Sequence, residues 1–460
     1  MSETSFSSLG LANEVVDNLE SLGYQEMTAI QAISLPEILA GKDVIAKSKT
    51  GSGKTAAFGL GLLAQLEVKR FYIQAMVLCP TRELADQVSK EIRRLARSTH
   101  NVKVLTLCGG KALGPQIGSL EHGAHIIVGT PGRIEDHIKK GRLDADQLKL
   151  LVLDEADRML EMGFQPSLDT IIASLPNKRQ TLLFSATYPK EIASMAEKIT
   201  HQPQFIEIDT EHHDNVITEQ VYEIDDDQHR LNAIQLLMLK YEPSSAVVFC
   251  NTKRETEMIA NYLKKQGFVA MALHGDLDQK ERDEVLVQFD NNSITLIIAT
   301  DVAARGLDID ALDLVVNYQI ARDLDVHVHR VGRTGRAGNK GTACTLVSQK
   351  ETYKLNLLEQ HLGKHLMPDT LPNQTLLERQ PRPCKKVCLK IDGGKKQKVR
   401  AGDILGALTA GGDISGDAIG KINIFDFFAY VAVDRSIAKI ALAKMTDGKI
   451  KGRQFRVKKI

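Results

Sequence analysis

The 460-residue sequence has no apolar run approaching the length of a membrane span. Its start, MSETSFSSLG, has no basic and apolar leader segments, and together these absences predict a soluble, cytoplasmic protein with no membrane partner. Net charge is nearly absent too: 59 Lys and Arg stand against 58 Asp and Glu, which argues for no particular partner. Cysteine is scarce. Cys79, Cys108, Cys250 and Cys344 lie in apolar strand-like runs, the setting of reduced core thiols rather than of a disulfide framework. Cys384 and Cys388 could join His361 and His365 around a metal, but the Cys spacing is wrong for a zinc knuckle and Val387–Ile391 reads as a strand. No structural metal is expected.

The charge that is present is unevenly spread. From Pro381 to Ile460, 18 Lys and Arg face 7 Asp and Glu; this surplus of 11 in a chain of net +1 leaves the first 380 residues at −10. A basic module on a mildly acidic body suggests a polyanion partner.

Strand-like runs alternate with helical ones over residues 1–210: DVIAKS, AMVLCP, VLTLCG, HIIVGT, LLVLDEA, TLLFSAT and FIEI. Such alternation predicts a doubly wound parallel sheet. After a polar stretch, EHHDNVITEQ, a second series (AVVFCN, VAMALHG, ITLIIAT, LVVNYQI, GTACTLV) predicts a second α/β domain over 216–365. Residues 366–383 are proline-rich and read as a linker, and 384–460 follow the order βαββαβ, which matches an RNA recognition motif. The expected fold class is therefore α/β, two doubly wound parallel-sheet domains with a C-terminal α+β RNA recognition motif, and the family resemblance given below implies that the two are RecA-like.

Within the first series, Leu150–Leu153 reads as a buried strand that stops at Asp154 and Glu155. One carboxylate there can hold Mg2+ while its neighbour accepts a proton from water; the plainer reading makes them a helix cap and a helix-dipole partner. The strand ending at Ala46 runs into KSKTGSGKT and then a helical segment, the setting of a phosphate-binding loop. In such a loop the backbone around Ser52 and Gly53 cradles phosphate, Lys54 reaches the terminal phosphates and Thr55 binds Mg2+. Ser48 stands where the strict pattern has Gly. Magnesium shared between Thr55 and Asp154 is the arrangement of phosphate-loop NTPases.

These motifs, with GYQEMTAIQ (Gly23–Gln31), PTRELA (Pro80–Ala85), GG (Gly109, Gly110), TPGR (Thr130–Arg133), SAT (Ser185–Thr187), ATDVAARGLD (Ala299–Asp308) and HRVGRTGRAG (His329–Gly338), occur in order from Phe6 to Gly338. As an ordered set they resemble the DEAD-box ATP-dependent RNA helicases of superfamily 2. The resemblance implies ATP and Mg2+ as cofactors and RNA as partner. By it Gln31 reads adenine with Phe6 and Tyr24 packed near the base, Asp308 faces the ribose, and Glu155 is the base. Arg333 and Arg336 become arginine fingers, worth about 10^3 to 10^5 in rate. Asp157, Ser185 and Thr187 couple the acidic pair to domain closure. Arg82, Gly110, Thr130, Arg133 and Thr300 contact RNA, with Arg282 supporting Thr300.

In the tail, Phe428 and Tyr430 keep part of an RNA-stacking pattern and could stack bases, although strand aromatics are commonly core. The alternative surface is basic: Lys395, Lys396, Lys398 and Arg400, with Lys449, Lys451 and Arg453. KIDGGKKQKVRAGDILGAL and GKIKGRQFRV look like the C-terminal module of the DbpA group of bacterial DEAD-box helicases, which implies targeting to a large-subunit (23S) ribosomal RNA hairpin in a pre-ribosomal particle.

Overall fold

The alternation of apolar residues along single strands decides which face of each sheet they serve. In strand β5 (Leu150–Leu153) all four side chains are buried, yet Leu150 and Val152 join one apolar cluster and Leu151 and Leu153 another. Such a strand is covered by helices on both faces, as in doubly wound folds. The computed structural model describes residues 4–48, 51–208, 217–304, 312–335 and 340–460, and divides into two compact units.

The first unit contains β1 (Val44–Lys47), β2 (Ala75–Leu78), β3 (Val104–Leu107), β4 (Ile126–Gly129), β5, β6 (Gln180–Ser185) and β7 (Gln204–Glu207), all parallel, in the order β3-β4-β2-β5-β6-β1-β7. The second contains β8 (Ile217–Ile224), β9 (Ala246–Cys250), β10 (Ala270–Leu273), β11 (Leu296–Thr300), β12 (Leu314–Asn317), β13 (Gly341–Ser348) and β14 (Pro368–Asp369). Their order, β10-β11-β9-β12-β13-β8-β14, repeats that of the first sheet when strands are counted from β8. The polar reading of EHHDNVITEQ misses the start of β8: Ile217–Gln220 already pair with Gly341–Cys344 of β13.

The proline-rich segment is fastened to the second unit. β14 pairs with β8, Leu371 packs on the core beneath, and Arg379 and Arg382 bond Glu242 at 3.4 and 2.9 Å. It leads into a four-stranded antiparallel sheet of β15 (Lys386–Ile391), β16 (Ile419–Ile424), β17 (Ala429–Asp434) and β18 (Val457–Lys459), in the order β16-β17-β15-β18. Val387, Leu389 and Ile391 face a core shared with helices Ala401–Thr409 and Ala438–Asp447, whereas Cys388 lies in an apolar cluster on the opposite face. All six cysteines are buried and free. Among the described residues, no helix is long and apolar enough to cross a membrane.

Candidate functional site

Parallel strands bring their carboxyl ends to one sheet edge, where ligands of such folds bind. Along the first sheet that edge reads Gly109 and Gly110 after β3, Thr130 and Arg133 after β4, Arg82 after β2, Asp154 and Glu155 after β5, Ser185 and Thr187 after β6, and the phosphate-loop sequence after β1. The residues expected to touch RNA thus share one half of the edge, those expected to touch nucleotide the other, and the acidic pair stands between.

Lys54 opens helix Lys54–Ala64; it is buried and its Nζ donates to the Ser48 carbonyl at 2.9 Å. Gly53 has φ +95°, and a Cβ there would lie 2.5 Å from Gln31 Nε2, so only glycine fits. Gln31, itself buried, accepts from the Thr28 amide at 2.9 Å and donates to the Gly53 carbonyl at 3.0 Å, while Thr28 Oγ1 donates to the Ser52 carbonyl at 2.7 Å. Ser48 Oγ and Ser52 Oγ share a hydrogen bond of 3.0 Å, which gives the hydroxyl at the unorthodox position a local role. Phe6 is buried against Tyr24, ring edge to ring face at 6.2 Å, among Met27, Leu35 and Leu60. The Tyr24 hydroxyl donates to Glu91 at 2.7 Å; burial first, and then that bond, push it above its ordinary pKa. Thr55 is partly exposed on the first turn of the helix.

The helix-cap reading of the acidic pair does not hold. Glu155 occupies the N-cap position of helix Ala156–Glu161 in left-handed backbone (φ 51°, ψ 53°), and no side chain caps that helix. A non-glycine residue held there carries strain of the kind that gathers at functional sites. Asp154 is buried; burial foremost, then repulsion from Glu155 and Asp157, raises its carboxyl to about 7, against the pull of Lys54. Asp154 and the Thr55 hydroxyl, on the first turn of helix Lys54–Ala64, are oxygen donors of the kind a divalent cation takes, although among the described residues no cluster of three acidic, His or Cys side chains forms a metal site. Asp157 behaves oppositely. Although burial works against it, the Thr187 amide and hydroxyl, Arg158 and Lys54 hold its carboxyl below the usual range. Its Oδ2 accepts from the Thr187 N–H and Oγ1, both at 2.9 Å; its own amide donates to Ser185 Oγ at 3.3 Å, and the Ser185 carbonyl accepts from the Ser48 amide at 3.0 Å. Phosphate loop, SAT segment and acidic stretch therefore form one bonded chain.

On the other half of the edge, Gly110 has φ +71° and a Cβ on it would fall 1.7 Å from Arg82 Nη1. Thr130 precedes helix Pro131–Lys139, and Arg133 Nη1 donates to the Lys111 carbonyl at 3.4 Å.

In the second unit Thr300 ends β11, and Arg282 Nη2 donates to the carbonyl of Ala303, three residues on, at 3.4 Å. Arg330, the first arginine of its motif, is 2 % exposed. It makes a two-pronged pair with Asp301 (2.6 and 2.8 Å) and donates to the Gln319 carbonyl and Asn251 Oδ1 at 2.9 and 2.8 Å. Arg333 is partly exposed just past the end of helix Leu324–Val331. Arg336 and Asp308 lie outside the described residues.

In the tail, Lys395, Lys396, Lys398, Arg400, Lys449, Lys451 and Arg453 are all exposed, and Lys451 Nζ donates to the Lys398 carbonyl at 3.4 Å, which joins the two runs into one basic surface. Tyr430 does not meet the expectation of base stacking: it is 2 % exposed, and helix Gln279–Asp290 of the second domain packs on that face, with Lys280 over the partly buried Phe428 ring. Sequence reading missed this cover. Its one local signal is Lys390, a charge between the apolar residues Leu389 and Ile391 of the strand-like run KVCLKI.

The sequence matches three family models: DEAD/DEAH box helicase over residues 28–195, helicase conserved C-terminal domain over 229–338, and DbpA RNA binding domain over 388–459. It is 49% identical over 456 residues to the ATP-dependent RNA helicase DbpA of Escherichia coli, covering 99% of both chains, and 35% identical to that of Bacillus subtilis, again covering 99% of both. Among solved structures, Saccharomyces cerevisiae Dbp5 bound to RNA and ADP BeF3 superposes with a TM-score of 0.70 at 28% identity, over 82% of this chain and 100% of that one.

Proposed function

The chain belongs to the DEAD-box ATP-dependent RNA helicases of the DbpA type, and from that membership we propose that it locally unwinds short RNA duplexes during assembly of the large ribosomal subunit, in the cytoplasm. The tail would anchor the enzyme to a structured hairpin of 23S ribosomal RNA within a pre-ribosomal particle, and the core would work on duplexes nearby. The observation that supports this reading is the strand order, which gathers the motifs assigned to RNA on one half of a sheet edge and those assigned to nucleotide on the other.

In this reading Gln31 selects adenine by releasing one of its two present hydrogen bonds, to the Thr28 amide or the Gly53 carbonyl. Lys54, with the backbone at Ser52 and Gly53, holds the phosphates. Thr55 and Asp154 would hold Mg2+, which when bound offsets charge on the phosphate oxygens. Glu155 takes the proton of the attacking water; it stands at the N-cap position in left-handed backbone, and its side chain makes no capping hydrogen bond. Arg333 and Arg336 stabilise the transferring phosphoryl group, and Asp308 faces the ribose. Asp157, Ser185 and Thr187 transmit the state of the nucleotide. Arg82, Gly110, Thr130, Arg133 and Thr300 hold the RNA strand, with Arg282 fixing the segment after Thr300. Because the arginines and Thr300 belong to the second domain, RNA gripping both domains favours the state competent for hydrolysis.

The anchoring claim is tested by reversing Lys449 and Lys451 to Glu. Stimulation of ATP hydrolysis by 23S ribosomal RNA then falls, and the salt dependence of RNA binding becomes shallower, while stimulation by unrelated RNA is little changed. Unchanged preference for ribosomal RNA overturns it.

A further inference from the structure

Helix Gln279–Asp290 presents two opposed faces, since residues two apart on a helix point about 200° away from each other. Arg282 looks toward the carbonyl of Ala303, beside the candidate RNA contact Thr300. Glu284, with Lys280 and Val287 on the same stripe, looks the other way, onto the sheet of the tail domain.

That second contact is unusually specific. Lys390, next to last in β15 and 4 % exposed, makes an ion pair with Glu284, and the Tyr430 hydroxyl donates to the same Glu284 oxygen at 3.3 Å. Lys280 sits over the Phe428 ring at 4.8 Å, and Val287 packs with Cys388 and Tyr430. At the rim Lys421 pairs with Asp290 at 2.6 Å, and in the buried part of the contact Asn291 Nδ2 donates to Cys388 Sγ at 3.4 Å. A buried ion pair adds little net stability over an apolar contact, but a shift of register strands both charges without partners. Its effect here is therefore to select one orientation of the tail.

We propose that the Glu284–Lys390–Tyr430 cluster is a positioning latch: it indexes the tail to the helix that carries Arg282, so that RNA anchored on the basic surface of the tail is presented to the Thr300 edge of the second domain in one geometry. None of the three residues touches RNA or nucleotide in this scheme. They act through the tail and through Arg282, and the sheet face serves protein contact instead of base stacking. The inference rests on the helicase reading above and adds how anchoring is coupled to duplex release.

The test uses full-length protein carrying Lys390→Glu, Glu284→Lys or both. Three quantities are measured: the distance distribution between spin labels at exposed Lys265 and Lys439, binding of a 23S ribosomal RNA hairpin, and ATP-driven release of a duplex linked to that hairpin. Each single reversal broadens the distance distribution and slows release by roughly fivefold or more, a typical size for coupling between sites. Hairpin affinity and ATP hydrolysis stimulated by unrelated RNA stay near wild type, and the double reversal restores narrow distances and release together. Unchanged distances, or broadened distances with undiminished release, overturn the latch, as does failure of the double reversal to rescue. Should a single reversal impair folding, breaking the exposed rim pair by Asp290→Lys or Lys421→Asp alone gives the same readouts in a milder form, and the two together restore them. If wild-type protein shows no RNA-stimulated hydrolysis at all, the helicase reading fails instead.

Discussion

Replacing Gly110 by Ala probes the RNA half of the sheet edge. The substitution acts in two separable ways. Gly110 has φ +71°, where an L side chain costs about 1–2 kcal/mol, and the new Cβ would lie 1.7 Å from Arg82 Nη1, so the guanidinium must move. The backbone strain appears as lost stability and lowers the melting temperature. On the proposed role of Arg82, its displacement removes a charge-assisted hydrogen bond to RNA phosphate worth about 1.5–3 kcal/mol, and the expected outcome is a KM for RNA raised by roughly ten- to a hundredfold. The KM for ATP is unaffected, because the nucleotide loops occupy the other half of the edge. RNA-stimulated ATP turnover, measured as a function of RNA and then of ATP, separates these effects. Gly118→Ala is the control: it lies within helix Leu113–Glu121 with nothing within 4 Å of its Cβ position, and it leaves both constants unchanged. In the double variant with Arg82→Ala, the Gly110 effect on KM for RNA disappears, because both changes act on one contact. A normal KM for RNA in Gly110→Ala, or full additivity with Arg82→Ala, refutes the assignment.

Asp157→Asn weakens the bonds to Thr187 and costs about 1.5–3 kcal/mol at neutral pH. Because the folded carboxyl is held below its ordinary value, this contribution is complete above the unfolded pKa of about 4 and is lost as pH falls through the lower folded value. The difference in melting temperature between wild type and Asp157→Asn therefore shrinks in acid; a difference independent of pH contradicts the account. Arg330→Ala leaves the Asp301 carboxylate without its main partner and destabilises the protein by about 3–5 kcal/mol, read by urea denaturation. A stable Arg330→Ala protein would mean that its network is dispensable.

The nucleotide half of the edge was legible because each motif follows a short apolar strand, and parallel strands oblige their carboxyl ends to meet. Read alone, Asp154 and Glu155 favour a plain helix start, and the phosphate-loop sequence around Lys54 turns them into a metal-site candidate; the left-handed backbone at Glu155 and the absence of a side-chain cap are not revealed by local pattern. Arg330 shares its regular spacing with Arg333, and only the tertiary approach of Asp301, Asn251 and Gln319 distinguishes it. The start of β8 was hidden because Thr218, Glu219 and Gln220 look like a connector until paired with β13. Least legible was the cover over the tail sheet. Tyr430 and Phe428 suit base stacking as well as they suit packing, and the choice is made by Glu284, a residue 146 positions from Tyr430.

The central claim is that hydrolysis requires residues of both domains brought together on RNA. It is tested most directly by the steady-state rate of ATP hydrolysis with Mg2+, with and without 23S ribosomal RNA, for wild type and Glu155→Gln. Wild type is expected to turn over very slowly without RNA and to be strongly stimulated with it, and Glu155→Gln to bind ATP and RNA yet stay slow in both conditions. Wild-type turnover that is equally fast without RNA, or normal stimulated turnover in Glu155→Gln, would contradict it.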